Sequence, residues 1–443
     1  METKTLYAIS RAQSEVLLDE VYIKGDAGEK NMQNLLSFRT YIKDDCSFPA
    51  LEYAWNRLLL NNDALRIRIA SRGKKRFSAY SEKQYIKPYE KETLEKVTVS
   101  GKSGLDHFCD LETKHPVIVK REAPLYRATL VDCGGGSGGL VVCFHHLICD
   151  GYSLQLMFRQ LEKSYFAFLN GESDGIKTGS ITEHFAREES YIKSDAFKDD
   201  CQFWKSEYRK QKHYTIPAGK PSKCTDAASE ELALTPHTYE LLTRFCSENQ
   251  CSMPSVLLSA TAITVYRLTG KKNFSLFNLI HGRDTFKLKR TVGCMVRTVP
   301  VMFNIDLNKS FSCAAKDEYK HYLETLSHSR LPFSRHVLYS YFKSLKNGFN
   351  FYHNWFLFSA MEFGTLSANS KIGLQLVKKY MQSNIFYCAV YDMPEEKTVC
   401  LELVYQTGKY SSEKIKAAAT AFNETLSLLL SAPDKKMSEV FPA

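Results

Sequence analysis

Apolar positions recur along the chain with two periods, and the two periods take turns from one end to the other. Residues 35–42 alternate apolar and polar in the manner of a half-buried strand, and Ser47-Phe48-Pro49 then opens a helix. Ser47 carries a short oxygen-bearing side chain suited to an N-cap. Leu51, Ala54, Trp55, Leu58 and Leu59 follow on one face at helical spacing. Residues 125–131 read as a strand, glycine-rich 134–139 as a hairpin loop and 140–144 as a wholly buried strand, with a helix over about 153–169.

Residues 170–225 mix glycine, proline and many charges, which predicts a connecting region with one or two polar helices. The second half repeats the style of the first. Ser252-Met253-Pro254 starts a helix that ends at Gly270, strands are expected over 274–280, 295–303, 351–358, 385–391 and 399–405, and an amphipathic helix over about 412–430. The pattern is mixed α/β without a sequence repeat. A single core stops growing near roughly 250–300 residues, so 443 residues divide into more than one unit. The expected division is a lobe over 1–175, a connection over 176–225 and a lobe over 226–443.

Composition removes several classes of function. With 44% hydrophobic and 24% charged residues the chain is an ordinary globular protein, and its apolar runs fall far short of the roughly 20 residues that span a bilayer. Residues 1–20 carry charges throughout and lack the apolar stretch of a secretion signal. Thirteen cysteines form no C-x-x-C pair and no Cys/His cluster at zinc spacing, so they are expected as buried thiols in a reducing cytoplasm, with no metal. The net charge of +10 is scattered. Its dense stretches, 72–76 and 209–223, lack the interleaved aromatics of a nucleic-acid groove. A mildly basic surface favours an acidic partner, such as a phosphorylated cofactor or an acidic carrier protein.

The stretch that carries chemistry is Cys143-Phe144-His145-His146-Leu147-Ile148-Cys149-Asp150-Gly151-Tyr152-Ser153. A buried strand delivers two histidines, an apolar turn follows, and Asp-Gly opens a helix. Adjacent residues on a strand face opposite ways, so His145 is expected inside and His146 on a cleft. Gly151 permits close approach and an unusual φ, and the first-turn N–H groups beyond it favour developing negative charge. Asp150 can hold an arginine or orient the ring. The Gly134–Gly139 run precedes a strand and lacks G-K-[ST], so it is no phosphate loop.

H-H-x-x-x-D-G after a buried strand resembles the signature of the condensation domains of nonribosomal peptide synthetases, in the chloramphenicol acetyltransferase-like superfamily. Other segments follow in the family's order. Ser10-Arg11-Ala12-Gln13 looks like S-x-A-Q, and Asn61-Asn62-Asp63-Ala64-Leu65-Arg66 keeps the Leu-Arg end of R-H-E-x-L-R. Ile181-Thr182-Glu183-His184-Phe185-Ala186 is a loose Y-x-D-F-A. His281-Gly282-Arg283 stands where the family has Gly-Arg after a strand, and Leu331-Pro332-Phe333 matches a P-F core. Val292-Gly293-Cys294-Met295-Val296-Arg297-Thr298 matches I-G-x-F-V-N-T, with Arg297 in place of Asn.

The resemblance implies an α/β fold of two chloramphenicol acetyltransferase-like lobes in a V-shaped pseudo-dimer, with the active site at their interface. It implies a free-standing, monomeric acyltransferase working in trans with acyl or peptidyl carrier proteins. The acyl group would move from a phosphopantetheine-linked thioester to a small-molecule or carrier-bound amine, with no permanently bound cofactor, metal, nucleic acid or membrane. By the same resemblance His146 and Gly151 are the catalytic candidates: His146 as base or hydrogen-bond anchor, Gly151 and the helix start beside the oxyanion. His145 is structural support, and Asp150 and Arg283 an ion pair bracing the loop against the second lobe. A coenzyme A-dependent N- or O-acyltransferase of the same fold and a non-catalytic recruitment module stay open as alternatives. Epimerases of the superfamily carry a Glu where this chain has Leu279, which argues against epimerisation.

Overall fold

The computed structural model describes residues 4–22, 35–71, 83–210, 226–331, 356–361, 372–377, 386–394 and 396–441. The chain divides into two compact units that interleave along the sequence. One comprises Met1–Lys193, His281–Val296 and Leu366–Ser383; the other comprises Ser194–Ile280, Arg297–Thr365 and Asn384–Ala443.

In the first unit the elements run β1 (Tyr7–Ala8), α1 (Arg11–Tyr22), β2 (Leu35–Tyr41), α2 (Phe48–Asn61), β3 (Ile67–Ser71), β4 (Lys83–Ile86), β5 (Glu95–Thr98), α3 (Gly101–Glu112), β6 (Tyr126–Gly134), β7 (Ser137–His145), α4 (Gly151–Asn170) and α5 (Ile181–Ile192). Ser47 caps α2 as expected, its side chain accepting from the Ala50 N–H at 3.3 Å. The central strand β7 is apolar from Leu140 to Phe144 because both of its faces are covered there. Leu140, Val142 and Phe144 lie in the core with Trp55 and Leu58 of α2 and Phe158 and Leu161 of α4. Val141 lies with Leu105 and Cys109 of α3. A strand with two dry faces reads as a continuous hydrophobic run.

The β6–β7 hairpin turns on Gly135 and Gly136, both at positive φ (60° and 80°), with Gly134 paired to Ser137 across the turn. Two positive-φ residues are what a two-residue hairpin turn twisted with its strands requires. Gly139 has a different task. It lies inside β7, and a Cβ there would land on the Thr40 carbonyl oxygen of β2. Gly139→Ala is therefore expected to cost about 1–3 kcal/mol in chemical denaturation, while Gly135→Asn, facing open space, stays near neutral. Equal midpoints for the two variants would contradict the close approach.

The second unit contains α6 (Asp195–Lys210), β8 (Ala227–Ala233), α7 (Pro236–Asn249), α8 (Met253–Thr269), β9 (Asn273–Ile280), β10 (Arg297–Asn304), α9 (Phe311–Ser327) and β11 (Phe356–Met361). The next strand, β12 (Gly373–Leu376), belongs to the first unit. After it come β13 (Phe386–Met393), β14 (Thr398–Gln406), α10 (Ser412–Ser431) and α11 (Met437–Val440). Ser252 caps α8 and Gly270 closes it in the left-handed conformation, at the ends the sequence marks. Residues 255–265 of α8 are buried on every side, among α7, α9 and α10. The sheet order is β10-β9-β11-β13-β14-β8 here and β12-β2-β7-β6-β5 in the first unit, where β12 pairs antiparallel with β2.

Several expectations shift at their edges. The 295–303 strand begins at Arg297, because Met295 is held elsewhere, and of the 351–358 strand the described part starts at Phe356. The basic stretch 72–76 and residues 211–223 lie outside the described residues. Eight of the twelve described cysteines are buried, as small hydrophobes would be. No described helix is long and apolar enough to cross a membrane, and no group of three metal-binding side chains occurs among the described residues.

One acid on α9 sits badly. Burial, with help from the charge of Asp317, pushes the Glu318 carboxyl up to about 7, and its Oε2 is enclosed with no hydrogen-bond partner among the described residues. A carboxyl raised in the folded state costs stability progressively as pH climbs from its unfolded value towards 7. Glu318→Gln is thus expected to stabilise the protein by about 1–3 kcal/mol at pH 8 and by nearly nothing at pH 4. Thermal melts at the two pH values decide it, and a pH-independent effect would refute the assignment.

Candidate active site

The site is built where β7 stops. His145 is the last strand residue, 1% exposed, and residues 146–148 form the turn that follows. The His145 Nδ1 accepts the Leu147 N–H at 3.1 Å and its carbonyl accepts the Ile148 N–H at 3.1 Å, so this histidine shapes the turn. His146 is half-buried. Strand alternation does not separate the two rings, since His146 has already left the strand; the turn does. A second brace comes from α1. Ser10 and Gln13 exchange reciprocal bonds at the helix start, a capping box, and the Gln13 amide donates to Gln84 Oε1 at 2.9 Å and to the Leu147 carbonyl at 3.0 Å.

Asp150 is the N-cap of α4, at the Asp-Gly pair expected to open the helix, and Gly151 is its first helical residue, two residues before the start near 153 that the apolar spacing marks. Gly151 takes helical backbone, so the expected unusual φ is absent there; what glycine provides is the lack of a side chain beside the helix start. Asp150 is enclosed and accepts five donors. Oδ1 takes the Ser153 N–H (2.9 Å), the Ser153 hydroxyl (2.8 Å) and Arg283 Nη2 (3.0 Å); Oδ2 takes Arg283 Nη1 (2.9 Å) and the Met295 N–H (2.9 Å). Burial alone would raise this carboxyl, but the Arg283 charge and these bonds outweigh it and hold the group below the usual range. Both oxygens of the carboxylate are thus engaged by donors.

Arg283 is equally committed. Besides Asp150 it donates to the carbonyls of His281 (2.8 Å), Thr291 (3.2 Å) and Gly293 (2.9 Å), and its guanidinium lies 4.6 Å from the Tyr152 ring centre. The pair was expected to brace the loop against the second lobe. Arg283 instead lies in His281–Val296, which packs as part of the first unit. The same segment brings Gly293 against the Ser153 hydroxyl, its N–H donating at 3.0 Å, and places Cys294 Sγ 3.8 Å from His146 Nδ1. Sequence reasoning passed over Cys294 and gave Gln13 no role, because nothing local to either residue points at the turn they touch.

Other motif residues are structural here. Asp63 accepts the Ile181 N–H at 2.9 Å and the Ser180 hydroxyl, joining α5 to the end of α2. Arg66 donates to the Lys87 carbonyl at 3.1 Å, and Arg297 to Ser329 in the second unit at 3.4 Å. Pro332 and Phe333 lie outside the described residues.

The model of the Condensation domain family matches residues 5–442. The chain belongs to the condensation domain family. Condensation domains are acyltransferases that form amide or ester bonds. This one is 24% identical to surfactin synthase subunit 1 of Bacillus subtilis over 340 residues, which is 74% of the chain and 9% of that protein. It is 25% identical to bacitracin synthase 1 of Bacillus licheniformis over 294 residues, 62% of the chain and 5% of that protein. The condensation domain thus spans only a small part of the curated relatives it matches. In fold it resembles the first condensation domain of the calcium-dependent antibiotic synthetase in complex with a substrate analogue (TM-score 0.80, 17% identity, 98% of each chain). A variant of the starter condensation domain of rhizomide synthetase in complex with C8-CoA is similar too (TM-score 0.82, 16% identity, 98% and 96% covered). Both neighbours share its mixed α/β, two-lobe fold.

Proposed function

We propose that this condensation domain moves an acyl group from a carrier-protein thioester to an amine, making an amide, in trans to other synthetase modules. The observation that carries the reading is the His146 turn set directly before the α4 N-terminus, with Asp150 withdrawn from proton chemistry by Arg283. The amine nitrogen attacks the thioester carbonyl carbon, and charge collects on its oxygen. Within the first turn of α4 the Ser153 N–H is taken by the cap side chain and the Leu154 N–H by the Asp150 carbonyl, which leaves the Gly151 and Tyr152 N–H groups for that oxygen. One such donor is worth roughly 3 kcal/mol at a developing oxyanion. His146 receives the proton of the ammonium nitrogen and returns it to the departing thiolate as the C–S bond breaks. His145, Asp150 and Arg283 support the turn. The pantetheine thioester is a substrate here and needs no resident cofactor.

A second reading has a specific support. The rhizomide neighbour is a complex with C8-CoA, so a coenzyme A thioester is an alternative donor carrying the same pantetheine arm. Mass spectrometry with octanoyl-CoA, with octanoyl carrier protein and with a panel of amines separates the two. Product from the carrier alone supports the first reading, and product from coenzyme A alone the second. With neither donor active, a non-catalytic recruitment role takes their place. On either donor reading, turnover is expected to survive dialysis against a chelator, and free acid, amine and ATP are expected to give no product, since attack on a preformed thioester requires neither activation nor a metal. Loss of turnover on chelation would overturn the scheme.

A further inference from the structure

We infer that Cys294 is a positioning residue for His146, holding the imidazole with Nδ1 against a buried thiol and Nε2 directed away from it. The inference rests on the proposed function in taking His146 as the working group, and it adds what orients that group. The contact is Cys294 Sγ to His146 Nδ1 at 3.8 Å, within hydrogen-bond reach for sulfur. The two ring nitrogens point to opposite sides of an imidazole, so fixing one aims the other.

The chemistry of the partner matters as much as its place. Where a carboxylate sits on the second nitrogen of a histidine, it stabilises the imidazolium and fixes one tautomer. Asp150, the aspartate of the same loop, is saturated by Arg283, Ser153 and Met295. Cys294 takes the second-nitrogen position instead. Its thiol is held uncharged by full burial, reinforced by the carboxylates of Asp150, Glu188 and Glu15 and opposed only by Arg283. A neutral thiol steers the ring without adding charge to it. The ring so aimed takes a proton transiently in the tetrahedral intermediate. Cys294 is itself rigidly placed, because Gly293 on one side bonds Ser153 and Met295 on the other bonds Asp150.

The test needs no knowledge of the natural substrate. Long-range proton–nitrogen NMR on histidine-labelled protein reads the tautomer and titration of each ring, and the signal lost in His146→Gln identifies the one of interest. The native ring is expected to show one dominant tautomer. Cys294→Ala is expected to move it towards the mixture of a free imidazole and to shift its titration, and Cys294→Ser, which keeps a hydrogen-bonding group, to retain the native pattern. With octanoyl-CoA or octanoyl carrier protein as donor, kcat is expected to fall on the order of tenfold to a hundredfold in Cys294→Ala with KM little changed, the pattern of a displaced reacting group. An unchanged tautomer and titration in a stably folded Cys294→Ala protein would overturn the inference. If no acyl transfer is found with any donor, the proposed function fails while the NMR result stands on its own.

Discussion

His146→Ala is expected to lower acyl transfer by about two to four orders of magnitude while moving the melting temperature by no more than about 2 °C. The separation of the two effects follows from the turn. His145, with its ring and carbonyl both engaged, and Gln13, with its amide on the Leu147 carbonyl, hold residues 146–148 without help from the His146 side chain. The half-buried His146 ring therefore contributes little to the fold. Its removal leaves the helix start intact, so the residual rate reports what the oxyanion donors and substrate positioning supply alone. His145→Ala should behave in the opposite way, losing stability first. Native turnover in a folded His146→Ala protein would remove that histidine from the mechanism.

Breaking the Asp150–Arg283 pair is expected to be the most damaging change to stability in the first unit. Arg283→Ala strands a carboxylate that is 1% exposed, and Asp150→Asn strands a fully enclosed guanidinium; either is expected to cost about 3–5 kcal/mol. The double variant Asp150→Asn, Arg283→Met removes both charges and should recover part of that loss, so the cycle measures a large coupling. Additive single costs would show that the two groups do not interact. The pair also leaves a trace in acid. The Asp150 carboxyl lies below its unfolded value, so its contribution is complete above about pH 4 and is lost as pH falls through the lower folded value. Asp150→Asn, lacking that proton site, should show a shallower acid limb in pH-dependent unfolding.

Elements with strong local punctuation were legible in the sequence. Ser47 and Pro49, Ser252 and Pro254, and Gly270 mark helix ends where caps and a left-handed residue are found. The apolar run in β7 marks a strand dry on both faces. Elements that bury small or polar groups were not legible. In α9 the fully buried positions are Phe311, Ser312, Ala315 and Thr325, with one large apolar side chain among them, and Tyr319 and Tyr322 are only partly buried against the core, so the elements expected from the sequence include no helix there. β8 is an edge strand reading Ala-Ala-Ser-Glu-Glu-Leu-Ala, with a single neighbour to pack on and little apolar patterning to find. At the site, the order of His145, His146, Asp150 and Gly151 was readable because their chemistry is local. The Cys294 contact and the Gln13 brace arise only from tertiary placement, across 148 and 134 residues of chain respectively.

The interleaving of the two units bears on how the protein comes off the ribosome. Residues 1–193 hold most of the first unit, yet Arg283 and β12 arrive much later in synthesis. Until then the nascent chain carries Asp150 without its counter-charge and β2 with an open, hydrogen-bonding edge, the kind of edge that recruits other strands. The second unit's β8 and α8 emerge before the first unit can close, so neither half of the polypeptide matures on its own schedule. Emergence of residues 281–296 and 366–383, and not of the first 193 residues alone, therefore sets the moment at which the first unit can close around its turn. A pause or truncation between residues 193 and 283 leaves a chain that has its histidines and lacks Arg283 to pair Asp150 and Cys294 to meet His146.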